Sequence, residues 1–269
     1  MEDNEIMDSL IPARRRKIIC NKIQNNGAVR IKDLSSSLKV ASMTIRRDLE
    51  ILEKQGIVER TYGGAIISNR MKFETLFKQK KEKNIIQKEE IGKIASTLIE
   101  NSDTIFVNSG TTTLSFVRNI IAHDVKIITN NALVAMEDIT DSTEIFLTGG
   151  ILRKESYSLV GETAMRDVRE VYAAKAIIGT DGISLKYGLT LSVRSEGELN
   201  ALMINQTQGA VIVLADSSKF GNVSSFSFSS IKKITDIVTD DGLNSMVIEE
   251  FKKIGIRVHI AKIKQYCEI

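Results

Sequence analysis

Apolar positions recur at helical spacing in the first quarter of the chain and then, from residue 103, in short β-branched runs. Ile18, Ile19 and Ile23 predict a helix over 13–25, stopped by Asn26-Gly27. A short apolar-basic stretch, Ala28-Val29-Arg30-Ile31, leads into a second helical pattern that runs through Leu34 and Leu38 to Val40. Ser42 is placed to cap a third helix over 43–55, which Gly56 ends. In that helix Ile45, Leu49 and Leu52 form one core-facing stripe. Met43, Arg47, Glu50 and Lys54 fall on the opposite side, flanked by Thr44 and Arg46. Ile57-Val58 and Ala65-Ile66-Ile67 predict a hairpin turned through Thr61-Tyr62-Gly63-Gly64, which carries Arg60 and Tyr62 near its tip.

Residues 68–84, rich in lysine and glutamate, predict a connector with Phe73 and Phe77 as isolated anchors. Its lysines 78, 80, 81 and 83 are expected on a solvated surface. A helix over 85–99 follows, with Ile91, Ile94, Ala95 and Leu98 on one face. The β-branched runs lie at 104–107, 126–129, 144–148, 175–179, 210–215, 236–239 and 257–260. Each ends in small polar residues and gives way to a helical stretch, which predicts an α/β domain with a largely parallel sheet.

Ligands of such sheets bind beyond the carboxyl ends of the strands. There the chain collects Ser109-Gly110-Thr111-Thr112-Thr113, Asn130, Gly149-Gly150, Asp181-Gly182, Thr190 and Lys219. In the first of these loops small residues let backbone N–H groups converge, hydroxyls add donors, and a helix N-terminus supplies partial positive charge. These features together suit a phosphate. A Ser/Thr-capped structural turn is the other reading of the same residues. The loop lacks the Gly-Lys-Ser/Thr ending of a Walker A motif, and no dinucleotide fingerprint is present. Lys219 is placed either to meet a phosphate or sugar hydroxyl, or to stand as a surface lysine.

Charge sharpens the division. Residues 12–60 carry twelve Lys and Arg against five acids, a net of +7, which leaves −4 for the rest of a chain whose total is +3. A basic end on an acidic body is the footprint of a polyanion-binding module attached to a separate domain. The 269 residues suit two domains. We expect a DNA-binding domain at 1–67, a linker at 68–84 and an α/β domain at 85–269. No apolar run approaches the roughly 20 residues needed to span a bilayer, and the acidic start does not read as a signal peptide. Cys20 and Cys267 stand far apart with no Cys-x-x-Cys pattern. Neither a metal site nor a cofactor is expected, and the location implied is cytoplasmic.

Ser42-x-Thr44-Ile45-Arg46-Arg47-Asp48-Leu49, followed by Gly56 and a Gly63-Gly64-Ala65 turn, resembles the winged helix-turn-helix of the DeoR family of bacterial regulators. The strand-end loops, in their order, resemble that family's effector domain, which is similar in fold to ribose-5-phosphate isomerase and glucosamine-6-phosphate deaminase. The resemblance implies that Ser42, Met43, Thr44, Arg46 and Arg47, with Arg60 and Tyr62 of the wing, meet double-stranded operator DNA. It implies that Ser109–Thr113 hold the phosphate of a sugar, with Asp181 and Lys219 on its hydroxyls or phosphate. Met43 stands where a charged or polar residue is more usual, which bears on operator preference. Asn108 stands where aspartate is frequent and Asn200 where lysine is common, which bears on effector choice. The function implied is a repressor of a carbohydrate-utilisation operon, released by a phosphorylated sugar and acting as a dimer or tetramer on palindromic sites.

The alternative is a sugar-phosphate isomerase or deaminase with a DNA-binding appendage. It needs a positioned base, for which Glu196 and Glu198 are the best candidates. His123 and His259 are expected at the surface or at sheet ends.

Overall fold

The computed structural model describes residues 11–68, 80 and 82–263. The chain divides into two units, Met1–Gln79 and Lys80–Ile269. Most of the expected connector, including Phe73, Phe77, Lys78 and Lys81, lies outside the described residues, as do the acidic start and Cys267.

In the first unit α1 (Pro12–Asn26) begins with proline in its first turn and ends at Gly27, whose φ of 72° is the left-handed conformation glycine tolerates best. Then come β1 (Ala28–Arg30), α2 (Ile31–Leu38), α3 (Ser42–Lys54), β2 (Val58–Thr61) and β3 (Gly64–Ile67). The strands pair antiparallel in the order β1-β3-β2. Gly64 lies so close to β1 that a Cβ there would sit 1.9 Å from the Val29 carbonyl oxygen, which explains the glycine at the base of the turn. Ile19, Ile23, Leu34, Leu38, Ile45, Leu49, Leu52 and Val58 form a single core in this unit. The stripe read from α3 is therefore the buried one. The cap differs from the expectation: Ala41 is the N-cap, and Ser42 is the first helical residue, its hydroxyl 3.4 Å from that of Ser35.

The second unit begins with α4 (Ile85–Ser96), followed by β4 (Thr104–Val107), α5 (Thr111–Arg118), β5 (Lys126–Thr129) and β6 (Glu144–Leu147). A short hairpin, β7 (Ile151–Arg153) with β8 (Ser158–Val160), leads into α6 (Glu162–Arg169) and β9 (Ala173–Gly179). After β10 (Gly182–Ser184) and β11 (Gly188–Leu191) come α7 (Arg194–Asn205), β12 (Thr207–Leu214) and β13 (Phe226–Ser229). The last elements are β14 (Asp236–Asp240), α8 (Ser245–Lys253) and β15 (Arg257–Ala261). Seven strands form one parallel sheet in the order β15-β14-β12-β9-β4-β5-β6. All seven β-branched runs are in it.

Alternation along these strands sends side chains to two separate cores. Phe106, Ile128, Ala176, Ile178, Val213 and Ile237 pack on one face with Val168 of α6, Met203 of α7 and Phe251 of α8. Ile105, Val107, Ile127, Ile177, Leu214 and Val238 pack on the other with Ile91 of α4 and Phe116 of α5. A sheet covered on both faces leaves its strand ends as the place where loops can gather around a ligand. No helix of the described residues is long and apolar enough to cross a membrane.

Candidate functional site

The α3 face opposite the core stripe presents Ser42, Met43, Arg46 and Arg47 to solvent, with Thr44 partly exposed. Met43 is 62% exposed. The basic residues around it fall into two groups. Arg15 is buried, and its Nε donates to Asp48 Oδ2 at 2.5 Å while its Nη2 reaches Oδ1 at 3.3 Å. Arg16 adds a contact at 3.4 Å to the same carboxylate. Asp48 itself is 2% exposed, so this cluster fastens α1 to α3. The charge count overstates the DNA-facing charge accordingly.

Arg60 is also tied. Its guanidinium lies 3.6 Å from Glu53, and its backbone N–H donates to the same side chain. It braces the wing against α3 instead of reaching freely from it. Arg46 and Arg47 carry no hydrogen bond or ion pair among the described residues. Tyr62 stands fully exposed at the wing tip.

At the sheet's carboxyl ends, the loop after β4 becomes the first turn of α5. Gly110 occupies the N-cap position without a side-chain cap, so the first N–H groups of the helix lack intrahelical partners. Ser109, Gly110 and Thr111 are partly exposed, and Thr112 is nearly buried. The hydroxyls of Ser109, Thr111 and Thr112 have no protein partner among the described residues.

Other expected contacts turn out to be braces. The Thr113 hydroxyl donates to the Asn108 carbonyl at 2.7 Å and is fully buried. Asn130 is buried; its Oδ1 accepts from Ser109 N–H at 2.9 Å and its Nδ2 donates to the Leu159 carbonyl at 3.1 Å. The Thr190 hydroxyl donates to the Gly182 carbonyl and accepts from Ser224 N–H. Gly182 is close-packed, since a Cβ there would meet the Asn222 carbonyl oxygen at 2.3 Å. Gly149 donates its N–H to Asp167, and Gly150 turns the chain into β7 with a φ of 119°. These residues shape the loops. The side chains of Thr113, Asn130 and Thr190 are already bonded within the protein.

Asn108 is likewise a strand-end clamp. Its Nδ2 donates to the Gly179 carbonyl at 2.9 Å and its Oδ1 accepts from Gly179 N–H at 2.7 Å, joining the ends of β4 and β9. An aspartate could make only the second bond, so the asparagine has a local structural reason. Asn200 is buried with its Oδ1 unpartnered among the described residues.

Next to Gly179, Asp181 accepts from Ser192 N–H at 3.1 Å and from the Ser192 hydroxyl at 2.8 Å through Oδ2. Its Oδ1 pairs with Lys80 at 3.0 Å. Burial pushes the Asp181 carboxyl up, but the Lys80 charge and the Ser192 bonds outweigh it and hold it below the usual value. After β12, Asp216 is buried and accepts from Asn84 Nδ2 at 2.9 Å. Lys219, half-buried, holds no hydrogen bond through its amine among the described residues.

The residue that pattern reading missed is Lys88. It is 5% exposed on α4, and its amine donates to the carbonyls of Lys83, at 2.5 Å, and Lys80. Burial lowers its pKa to about 8; nearby Asp216 raises it, while Lys219, Lys80 and Lys83 lower it further. Lys80 is exposed, as expected, and is also ion-paired to Asp181.

The two candidate bases of an enzyme are both engaged. Glu196 is buried and accepts from the Ser156 and Ser158 hydroxyls at 2.5 and 2.7 Å, with Arg153 at 3.3 Å. Glu198 is exposed and paired with Arg194. His259 lies on the edge strand β15 against Asp236, and His123 is exposed. No group of three or more His, Cys, Asp or Glu with metal-holding geometry occurs among the described residues.

Residues 15–71 match the DeoR-like helix-turn-helix domain, and residues 83–241, more than half the chain, match the DeoR C terminal sensor domain. The chain belongs to the DeoR family. Among DeoR-family relatives, it is 34% identical to the putative aga operon transcriptional repressor of Escherichia coli O157:H7, over 91% of this chain and 93% of that one. It is 30% identical to the HTH-type transcriptional regulator GlpR of Haloferax volcanii, over 93% and 98%. Among solved structures, ribose 5-phosphate isomerase A from Methanocaldococcus jannaschii aligns with 15% identity and a TM-score of 0.36, over 49% of this chain and 53% of that one. As a DeoR-family member the protein is a DNA-binding transcriptional regulator, with α3 in the helix-turn-helix match and six of the seven strands of the parallel sheet in the sensor-domain match.

Proposed function

We propose that the protein represses a carbohydrate-utilisation operon and leaves its operator when a phosphorylated sugar binds at the sheet's carboxyl ends. In this reading the phosphate sits on the uncapped N-terminus of α5, met by the open N–H groups and the hydroxyls of Ser109, Thr111 and Thr112. Lys219 supplies compensating charge, and Asp181 takes sugar hydroxyls. The observation that carries the reading is the presence, at the carboxyl ends of one sheet, of unsatisfied donors at a helix start after β4 and an uncommitted lysine after β12, two strands along. Two relatives named as transcriptional repressors, that of the aga operon in Escherichia coli O157:H7 and GlcR of Bacillus subtilis, support the output side. We place the DNA-binding domain at 1–67 and the effector domain at 85–269, and expect a homodimer or homotetramer, since two-fold operators match two-fold proteins. The engagement of Glu196 and Glu198 favours sensing over turnover.

Calorimetry with pentose, hexose, tagatose and deoxyribose phosphates, followed by gel shifts with each hit, tests the reading. Lys219→Ala is expected to weaken sugar-phosphate binding roughly tenfold to a hundredfold, the worth of a charge-assisted hydrogen bond, while DNA affinity stays unchanged. Equal effector affinity in the variant would remove Lys219 from the site.

Lys88 gives a pH signature. Its folded pKa of about 8 lies below the roughly 10.4 of an unfolded lysine. Between those values the unfolded chain holds a proton that the folded chain has released, so stability should rise with pH across that window. Below about pH 8 both states are protonated and the contribution is constant. Thermal melts are expected to show the rise, and Lys88→Met to flatten it.

A further inference from the structure

Two ties hold the start of the second unit onto the strand ends, and a third fastens it to α4. Lys80 pairs with Asp181 Oδ1 at 3.0 Å, and Asn84 donates to Asp216 Oδ1 at 2.9 Å. Buried Lys88 holds the carbonyls of Lys80 and Lys83 from within α4. Asn84 adopts a left-handed φ of 55° as the chain turns into α4, a conformation asparagine accepts more readily than most residues. Asp181 follows β9, and Asp216 follows β12 just before Lys219. Both carboxylates therefore stand where the proposed effector site lies. Lys80 is also where the second unit begins, Gln79 being the last residue of the first.

The ties differ in strength. Lys88 and Asp216 are buried, whereas the Lys80 side chain is 60% exposed. An ion pair with one partner in water is weak and exchangeable. It is the one of the three that a ligand hydroxyl can displace without removing a buried charge from its partners.

We propose that Lys80 and the effector compete for Asp181, which makes the Lys80–Asp181 pair a latch that reports effector binding to the DNA-binding unit. With the site empty, Lys80 fastens the entry of the chain onto the strand ends. A sugar hydroxyl that takes Asp181 Oδ1 displaces the Lys80 amine into solvent and frees that entry point, leaving Asn84 and Lys88 in place. Ligand and latch are then reciprocally coupled: whatever weakens the latch tightens the ligand by the same factor. The inference rests on the effector site proposed above.

The test uses the full chain, Lys80→Ala, Lys80→Arg and the sugar-phosphate panel, with an operator fragment selected by the protein from random duplexes. Lys80→Ala is expected to bind the active sugar phosphate about fivefold more tightly, the lower end of typical coupling, and, its latch already open, to hold the operator more weakly than the unaltered chain before any ligand is added. Lys80→Arg, which keeps the ion pair, is expected to behave as the unaltered chain. Equal ligand affinity and equal ligand-free operator affinity in Lys80→Ala and the unaltered chain would overturn the latch while leaving the effector site standing. No response of the unaltered chain to any sugar phosphate would overturn both.

Discussion

Asp48→Ala is expected to destabilise the first unit by about 3–5 kcal/mol, the cost of removing one partner from a buried ion pair. Asp48 is 2% exposed and receives Arg15 through two bonds and Arg16 through a third. Without it, the Arg15 guanidinium is deprived of its carboxylate in the interior, between α1 and α3. The loss would be large for so small a domain, whose core rests on ten buried apolar side chains. Denaturant melts of the full chain should show the first unit's transition shifted and that of the second unit unmoved. Replacing both partners, as Arg15→Met with Asp48→Leu, is expected to recover most of the loss, since apolar pairs of similar volume substitute well for buried ions. A single variant as stable as the unaltered chain would show that the pair does not hold the helices together.

Arg47→Ala is expected to weaken operator binding by roughly 1–3 kcal/mol, and to lower the salt slope by about one if its contact is a phosphate. Arg15 and Arg16 hold Asp48, Arg60 leans on Glu53, and Lys54 pairs with Glu50. Arg47 has no partner of this kind among the described residues and stands exposed in the second turn of α3, near Met43. An uncommitted guanidinium on a helix that presents its N-terminal residues to a groove can grip guanine or phosphate with two bonds. Fluorescence anisotropy from 50 to 200 mM salt would measure both quantities. An Arg47→Ala protein that binds with unchanged affinity and slope would move the DNA-reading face elsewhere. Met43 on the same face would then lose its role in operator preference too.

The large-scale order of the chain was legible because it is written in burial. The five inner strands of the parallel sheet send apolar side chains to both faces, so runs such as 104–107 and 175–179 stand out from polar flanks. The α3 stripe was legible for the same reason, with one buried side and one wet one. What pattern reading could not see was pairing across the fold. Asp48 looks like surface charge in a polar helix, and only the arrival of Arg15, 33 positions away in the chain, makes it an interior residue.

Lys88 shows the same limit. Its spacing on α4 is that of a solvated lysine, yet the backbone carbonyls of Lys80 and Lys83 turn it inward. The small polar strands β7, β8 and β10 escaped because three residues carry too little periodicity to read. Some hydroxyls of the expected site are engaged within the protein. Thr113 and Thr190 are chemically able to hold a sugar phosphate, but a hydroxyl beside a free carbonyl bonds it first, and both do. The parts of the site that keep open valences are Ser109, Thr111 and Lys219, at the rim, with Asp181 held by the exchangeable Lys80.

The most direct measurement is the anisotropy of the protein on its selected operator while single sugar phosphates are added. One of them is expected to dissociate the complex at micromolar to millimolar concentration, as metabolite sensors do. The same sugar without its phosphate, and inorganic phosphate alone, are expected to leave the complex intact. A complex that every sugar phosphate leaves untouched, or a bound sugar phosphate that is converted to product, would contradict the reading of the protein as a metabolite-released repressor.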